Sequence, residues 1–477
     1  MKRNKSRGLA SAAVIALLVT ACNAPTIVRR SESRVVPESY TGRADTASSA
    51  AATWRDFFKD SHLTALIDSA LAHNQELNII TQEIAMTQNE IEAKKGEYLP
   101  FVSLGGGAGF EKAARYTQVG ASEATTEIKP GKEMPEPLGD FKFGAFARWE
   151  VDIWHKLRNA RKAAVNRYLA SVEGRNFMVT NLISEIATSY YELLALDSQL
   201  QIIRQNIDIQ QNALRLVRQQ KEAAKLTELA VKRFEAQVYN TLGLQYEIQQ
   251  KIVEAENRIN FLVGRFPQPV DRDHSELLKL SPEVLSVGSP AALLSHRPDI
   301  LQAEQQLEAA KLDVEVARAE FYPSLGLSAS LGTQAFNPAY LAKMPWSLFS
   351  TLMGDMMGPL INKRGIKANY LNANARQEQA IFQYEKTVLA ACLEVANLVA
   401  MINNLEKNYD VKSKEVNALN ESVTISNRLF TSARADYTEV LFTQRDAIES
   451  KFELVETKMQ QFKAMISTYR ALGGGWQ

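Results

Sequence analysis

Apolar residues recur along this chain with two different periods, and the places where the period switches divide it into segments. Leu63, Leu66, Ile67 and Leu71 follow helical spacing, and Ile80, Ile84 and Ile91 continue it. This predicts one helix of roughly 35 residues ending near Gly96–Pro100. Beyond Pro100 the period falls to two. Val102, Leu104, Ala108 and Phe110 alternate with Ser103, Gly105, Gly107 and Gly109. A longer run follows, in which Phe141, Phe143, Ala145, Ala147, Trp149, Val151 and Ile153 alternate with Lys142, Gly144, Phe146, Arg148, Glu150 and Asp152. Only Phe146 breaks its polar face. Strands that cross a membrane need about 9–11 residues with this alternation, so residues 99–153 are predicted to form a β-hairpin of that kind. Residues 111–140, polar and carrying Pro130, Pro135 and Pro137, are predicted to be a long loop between its strands.

Helical sequence then takes over. No Gly or Pro lies between Arg175 and Leu242, and a helix over that stretch would be ~100 Å long. Lengths of that kind imply a coiled-coil or tubular assembly. Pro267, Pro269, Pro282, Pro290 and Pro298 mark a crossover at 265–297. After it the pattern restarts. Aligned on Pro100 and Pro323, Glu97 meets Glu320, Tyr98 meets Phe321, and Leu104 meets Leu327. Leu325, Leu327, Ala329 and Leu331 alternate with small polar residues, Trp346–Pro359 is a weaker fourth strand, and Ile366–Leu472 contains no Gly or Pro. Leu226-Thr227-Glu228-Leu229 aligns with Tyr437-Thr438-Glu439-Val440. The chain is therefore predicted to be a tandem duplication. The first repeat covers 54–264, and the second covers 298–472 with its β-hairpin at 323–359. A short tail occupies 473–477.

Four amphipathic strands cannot close a barrel, and open edges in lipid leave unpaired backbone groups. Strands of this kind must be shared between copies: two chains give eight, three give twelve, and the pattern alone does not choose. The apolar stripes of the helices must likewise pack against neighbours. A soluble rod-like coiled coil would account for the helices but not for the strands.

The N-terminus adds a compartment. Lys2, Arg3, Lys5 and Arg7 precede an apolar run, Leu9–Val19, too short to span a bilayer. It ends in Val19-Thr20-Ala21-Cys22, which looks like the lipobox of bacterial lipoproteins, with 1–21 as signal peptide and Cys22 as the lipid attachment site. Asn23 permits sorting to the outer membrane. Residues 22–53, rich in Ser, Ala, Thr and Arg, are predicted to be an extended tether. The only other cysteine, Cys392, lies in an apolar helical stretch and is expected to be a small buried side chain.

Composition mostly excludes. With 55 basic and 54 acidic residues the net charge is +1, and nothing points to nucleic acid. His62, His73, His155, His274 and His296 show no ligand spacing. No Gly-rich phosphate loop opens a helix, and Gly105-Gly106-Gly107 lies in a strand. Met344, Met353, Met356 and Met357 would suit soft metal ions, though barrel packing is the stronger explanation. An envelope hydrolase would need a catalytic constellation that the sequence lacks. No enzyme activity, cofactor or resident metal is expected.

At this point the residues match a family. His296-Arg297-Pro298-Asp299-Ile300, then Ala303-Glu304 and Phe321-Tyr322-Pro323-Ser324-Leu325, resemble the R-P-D-I, A-E and F-P-x-L segments of TolC-like outer-membrane efflux proteins. Tyr437–Arg445 is similar to that family's Y-x-x-x-L-x-x-Q-R turn, and Ala471–Trp476 to its ending. With the lipobox, this points to the lipoprotein branch serving resistance-nodulation-division (RND) pumps. The resemblance implies a homotrimer with a shared 12-stranded barrel and a periplasmic α-helical barrel. It also implies a periplasmic adaptor, or membrane fusion protein, and an inner-membrane RND pump as partners. The alternative is the channel of a type I protein secretion system. Locally, Pro298 suits a first helical position and Asp299 complements the helix dipole.

The two helical return turns, Ala224–Glu228 and Ala433–Phe442, interrupt the longest runs and are expected to form the periplasmic aperture. Asp436, Thr438, Glu439, Phe442, Arg434 and Arg445 are its candidate residues. Asp436 and Glu439 have D-x-x-E capping-box spacing, and Arg434 or Arg445 could bond to a neighbouring helix. Many relatives carry aspartate in the L-D-x-Q-R turn where this chain has Phe442. An apolar constriction is therefore expected there in place of a carboxylate ring.

Overall fold

The computed structural model describes residues 25, 30–40, 52–273, 277–282, 286–432 and 434–476. Cys22, the proposed signal segment and Ala433 lie outside these. The elements run in order α1 (Trp54–Phe57), α2 (Ser61–His73), α3 (Gln75–Tyr98), β1 (Phe101–Glu111), α4 (Gln118–Glu123), β2 (Glu127–Lys129), β3 (Lys132–Glu133), β4 (Leu138–Val151), α5 (Lys156–Glu222) and α6 (Glu228–Val263). After the crossover come α7 (Pro290–His296), α8 (Pro298–Ala319), β5 (Ser324–Ala335), β6 (Leu348–Met357), α9 (Arg364–Thr431) and α10 (Tyr437–Ala471). The fold is mainly helical. The chain divides into two units, one holding residues 85–169 and 305–381, the other 32–84, 170–304 and 382–477.

The first unit is built on one antiparallel sheet with strand order β1-β4-β5-β6. Paired residues in an antiparallel ladder share a face, so the register sorts the side chains. Leu104 pairs with Ala145, Ala145 with Leu331, Trp149 with Leu327, and Leu325 with Met356. One face is therefore apolar across all four strands. The other carries Lys142, Arg148, Glu150, Ser328, Ser330, Thr351 and Asp355 among glycines. Phe146 lies on this polar face, 3.5 Å from where a Cβ on Gly105 would stand and 6.4 Å, ring to ring, from Phe349. Met353 and Met357 share the polar face, whereas Met356 is on the apolar one, so the methionines form no single cluster. Gly144 pairs with Gly332 where the strands run too close for side chains. A Cβ on Gly332 would stand 2.3 Å from the Phe143 carbonyl oxygen.

The segment expected to be a plain loop at 111–140 is partly ordered. It contains α4 and the β2–β3 hairpin, and Lys129 reaches over the Tyr340 ring at 4.1 Å. The strands also shift slightly from their expected limits: β4 starts at Leu138 and stops at Val151, and β6 covers Leu348–Met357.

The second unit has an aromatic and aliphatic core drawn from α1, α2, α5, α6 and α10. Phe57 stacks on Tyr469 at 4.1 Å, and Tyr191 on Phe462 at 4.3 Å. The single 35-residue helix expected after Leu63 is two helices. Asn74 adopts extended backbone between α2 and α3, donates to the Leu262 carbonyl at 2.8 Å, and accepts from the Leu77 amide at 3.0 Å. Its side chain thus starts the second helix while holding the end of α6. That end needs Gly264, at φ 77, because a Cβ would meet the His73 carbonyl oxygen at 2.5 Å.

The tether is not free over its described part. The Ser33 amide donates to Glu385 at 3.1 Å, Arg34 pairs with Glu304 at 2.7 Å, and the Tyr40 hydroxyl is buried. Its composition reads as a linker, but the Arg34 side chain finds a partner on α8 and the Ser33 main chain one on α9. Cys392 is half-buried rather than buried, and burial raises its thiol pKa. Arg297 is buried, binding Asp299 at 2.7 Å, Glu394 at 2.9 Å and the Ala471 carbonyl at 2.8 Å. A buried charge needs such complete pairing, so the Arg297-Pro298-Asp299 segment ties the start of α8 to α9 and the end of α10.

Candidate aperture and membrane sheet

The first return turn is closed by its own side chains. α5 ends in a Schellman arrangement, with the Lys225 amide donating to Gln220 O at 2.9 Å and the Ala224 amide to Lys221 O at 2.9 Å. Ala224 takes the left-handed conformation, φ 55, that glycine normally supplies. Across the turn Lys221 pairs with Glu228 at 2.7 Å, and Arg218 with Glu235 at 3.0 Å. Hydrogen bonding from Lys221 holds the Glu228 carboxyl below the usual range. Beneath the turn, Leu214, Val217, Val231, Phe234 and Val238 form an apolar cluster that also takes in Val440 from α10.

The second return turn starts in the same way, with the Arg434 amide donating to Leu429 O at 2.8 Å. Its side chains behave differently. Asp436 occupies the N-cap position of α10 but makes no side-chain cap bond, and only its carbonyl accepts from the Glu439 amide at 3.2 Å. The expected capping box is therefore not formed. Its carboxylates stay outward, and among the described residues neither Asp436, Glu439 nor the Arg434 guanidinium has an ion-pair partner within the chain. Arg445 binds Asp446 at 2.8 Å and lies over the Phe442 ring at 5.2 Å. Phe442 is 53% exposed and Thr438 is half-buried. The turn's own fixed point is the hydroxyl pair Ser426–Thr443 at 2.9 Å. The six candidate residues thus cluster at one turn, with Phe442 and Arg445 in contact.

The sheet offers the second functional surface. β1 and β6 each pair on one side only. The ends of the strands that join the helices carry an aromatic set. The Trp149 indole donates to Tyr98 O at 3.0 Å, and Trp154 donates to Pro323 O at 2.7 Å while stacking on Tyr322 at 4.8 Å. Tryptophan and tyrosine favour membrane–water boundaries.

One feature was not foreseen from composition. α9 contains a stretch apolar enough to cross a membrane, yet only 28% of it is buried. Leu389 and Leu393 are both more than half exposed there. Average hydropathy hid this, because the run is diluted within a helix of 68 residues.

Comparison with known proteins places this architecture. A family model described as outer membrane efflux protein matches residues 66–265 and 290–474. The chain is 28% identical over 436 residues to the pyoverdine export outer membrane protein OpmQ of Pseudomonas aeruginosa, covering 91% of this chain and 90% of that relative. It is 26% identical over 476 residues to the outer membrane protein OprJ of the same organism, covering 98% and 95% respectively. A crystal structure of a membrane protein from Pseudomonas aeruginosa shares the fold with a TM-score of 0.84 at 23% identity, over 94% of this chain and 99% of that one.

Proposed function

This chain belongs to the outer membrane efflux protein family, and from that premise we propose that it is the outer-membrane channel of a tripartite efflux pump, a passive exit duct for small toxic molecules. The family match favours this reading over a type I secretion channel.

The observation that carries it is the sheet, with four strands, one apolar face and two open edges. An open edge in lipid costs several kcal/mol for each unpaired backbone group. The strands alternate in direction, so β6 of one copy can pair antiparallel with β1 of the next and the ring closes with every neighbour antiparallel. Three copies give twelve strands, enough for a lumen, whereas eight would be filled by side chains. The exposed apolar stripe of α9 calls for the same remedy, a neighbouring copy over Leu389 and Leu393. The trimer's helical hairpins would form the periplasmic duct, meeting a periplasmic adaptor and an inner-membrane RND pump that supplies the energy. At the second return turn, three Phe442 rings would narrow the resting channel, and the adaptor would widen it.

Lipid attachment at Cys22 is part of the proposal. A Cys22→Ser chain is expected to lose labelled palmitate yet still assemble, and retained label would contradict the anchor. Native mass spectrometry and planar-bilayer recording test the channel itself. The expected result is a trimer with discrete conductance steps. A folded, non-conducting monomer would contradict it.

A further inference from the structure

At the helix-bearing end of the sheet is an open cleft of about 610 Å³, lined by Tyr98, Arg158, Arg161, Lys162, Val165 and Leu312 among others. Its position follows from the contacts around it. Trp149 lies on the apolar face of β4 and hydrogen-bonds the Tyr98 carbonyl. Arg158 in turn donates to the Tyr98 hydroxyl at 3.0 Å and lies over its ring. The cleft therefore continues the apolar face of the sheet just where the strands give way to helices. Its walls are amphipathic, with aliphatic surface from Val165 and Leu312 beside three cations.

The charge there is only partly answered by the chain itself. The segment Lys156-Leu157-Arg158-Asn159-Ala160-Arg161-Lys162-Ala163-Ala164-Val165-Asn166-Arg167 carries five cations and no carboxylate. Lys156 pairs with Glu150, Arg167 with Asp313, and Arg158 with Asp152 at 3.9 Å as well as with Tyr98. Arg161 and Lys162 have no ion-pair or hydrogen-bond partner among the described residues. The start of α5 is answered by Asp152, whose carboxylate accepts from the Leu157 amide at 3.1 Å and the Arg158 amide at 2.9 Å, but no carboxylate reaches Arg161 or Lys162 one turn further on among the described residues. The chain thus answers the first turn itself and leaves Arg161 and Lys162 for an anion in the cleft.

We propose that this cleft binds the phosphodiester headgroup of an anionic phospholipid in the periplasmic leaflet, with Arg161 and Lys162 as its counter-charges. The acyl chain runs along the apolar face of β1 and β4, past Trp149. The inference rests on the channel reading, because that reading puts the sheet in the bilayer with its helix-bearing end toward the periplasm. Two otherwise unpaired cations near an anionic headgroup should favour it over a zwitterionic one by roughly tenfold or more.

The test is native mass spectrometry of the full-length protein in detergent, titrated with phosphatidylglycerol or with phosphatidylcholine of the same acyl chains. The wild type should retain phosphatidylglycerol with that preference. The Arg161→Gln/Lys162→Gln double variant should lose the preference, and the charge-keeping Arg161→Lys/Lys162→Arg variant should hold it. Both changes are at exposed positions, and unaltered oligomer mass and circular dichroism would show that the fold is intact. Lys129→Gln with Lys132→Gln, in the loop segment beyond the other end of β1, should change nothing. Equal retention of both lipids by the wild type, or displacement of the lipid by inorganic phosphate at matched concentration, would overturn the proposal. Bilayer conductance separates the two claims. A conducting channel without lipid preference overturns this inference alone, and a chain that never inserts overturns the channel reading and this inference with it.

Discussion

The two return turns occupy matching positions in the two halves of the chain and do opposite things there. Aligned on Thr227 and Thr438, Glu228 falls opposite Glu439, Val231 opposite Phe442, and Phe234 opposite Arg445. In the first turn Glu228 is held by Lys221, and Val231 and Phe234 are buried in a shared apolar cluster. In the second, Ser432 stands where Lys221 would be, Glu439 has no ion pair among the described residues, and the exposed aromatic ring of Phe442 lies under Arg445. One turn is satisfied by its own chain, while the other keeps its carboxylates, guanidinium and ring for something beyond it. Two hairpins of matching length thus differ at a few tip positions, one closed by its own side chains and the other a candidate moving part.

The largest effect expected from this contrast is on conductance. Phe442→Ala should raise single-channel conductance at least about twofold with an unchanged oligomer, since an apolar ring that excludes water is removed. If conductance stays constant while Asp436→Ala opens the pore, the constriction moves to the acidic ring. At the matching position of the first turn, Val231→Ala should leave conductance alone and cost about 2 kcal/mol per chain through the cavity it creates. Thermal unfolding followed by circular dichroism measures that loss, and an equal conductance change in both variants would erase the distinction between the turns.

The smallest effect is electrostatic. The Glu228 carboxyl is lowered chiefly by the hydrogen bond from Lys221. A carboxyl lowered in the folded state stabilises above its unfolded pKa, and that contribution is lost as pH falls through the folded value. Lys221→Gln should therefore flatten the acid side of the stability profile slightly. The exposed pair is screened, so the change should shrink further in high salt. A profile unaffected by the substitution would show that the pair does not hold the turn.

Much of this was legible in the sequence because periodicity reports which face is buried. The alternation from Phe141 onward located β4, and the stretches without Gly and Pro marked the long helical regions, each of which holds two helices and a return turn. What periodicity misses is a break made by one side chain. Asn74 sits in an unbroken apolar pattern, and only its bond to Leu262, remote in sequence, reveals the split between α2 and α3. The docked tether was hidden for the same reason, since Arg34 finds Glu304 far along the chain. At the aperture the candidate residues were readable but their pairing was not. D-x-x-E spacing permits a capping box, yet Asp436 leaves its carboxylate turned away. The cleft beside Tyr98 was missed because its cations look, in sequence, like an ordinary solvated helix face.

In the proposed trimer the second turn, and not the first, meets its copies around a common axis. Cysteine cross-linking tests it most directly, in a Cys392→Ala background. Under mild oxidation, assembled Phe442→Cys protein should give disulfide-linked dimers on denaturing gels and reduced conductance. Val231→Cys, buried in its own protomer, should give neither. Cross-linking at Val231, or its absence at Phe442 in protein shown to be assembled, would contradict the account.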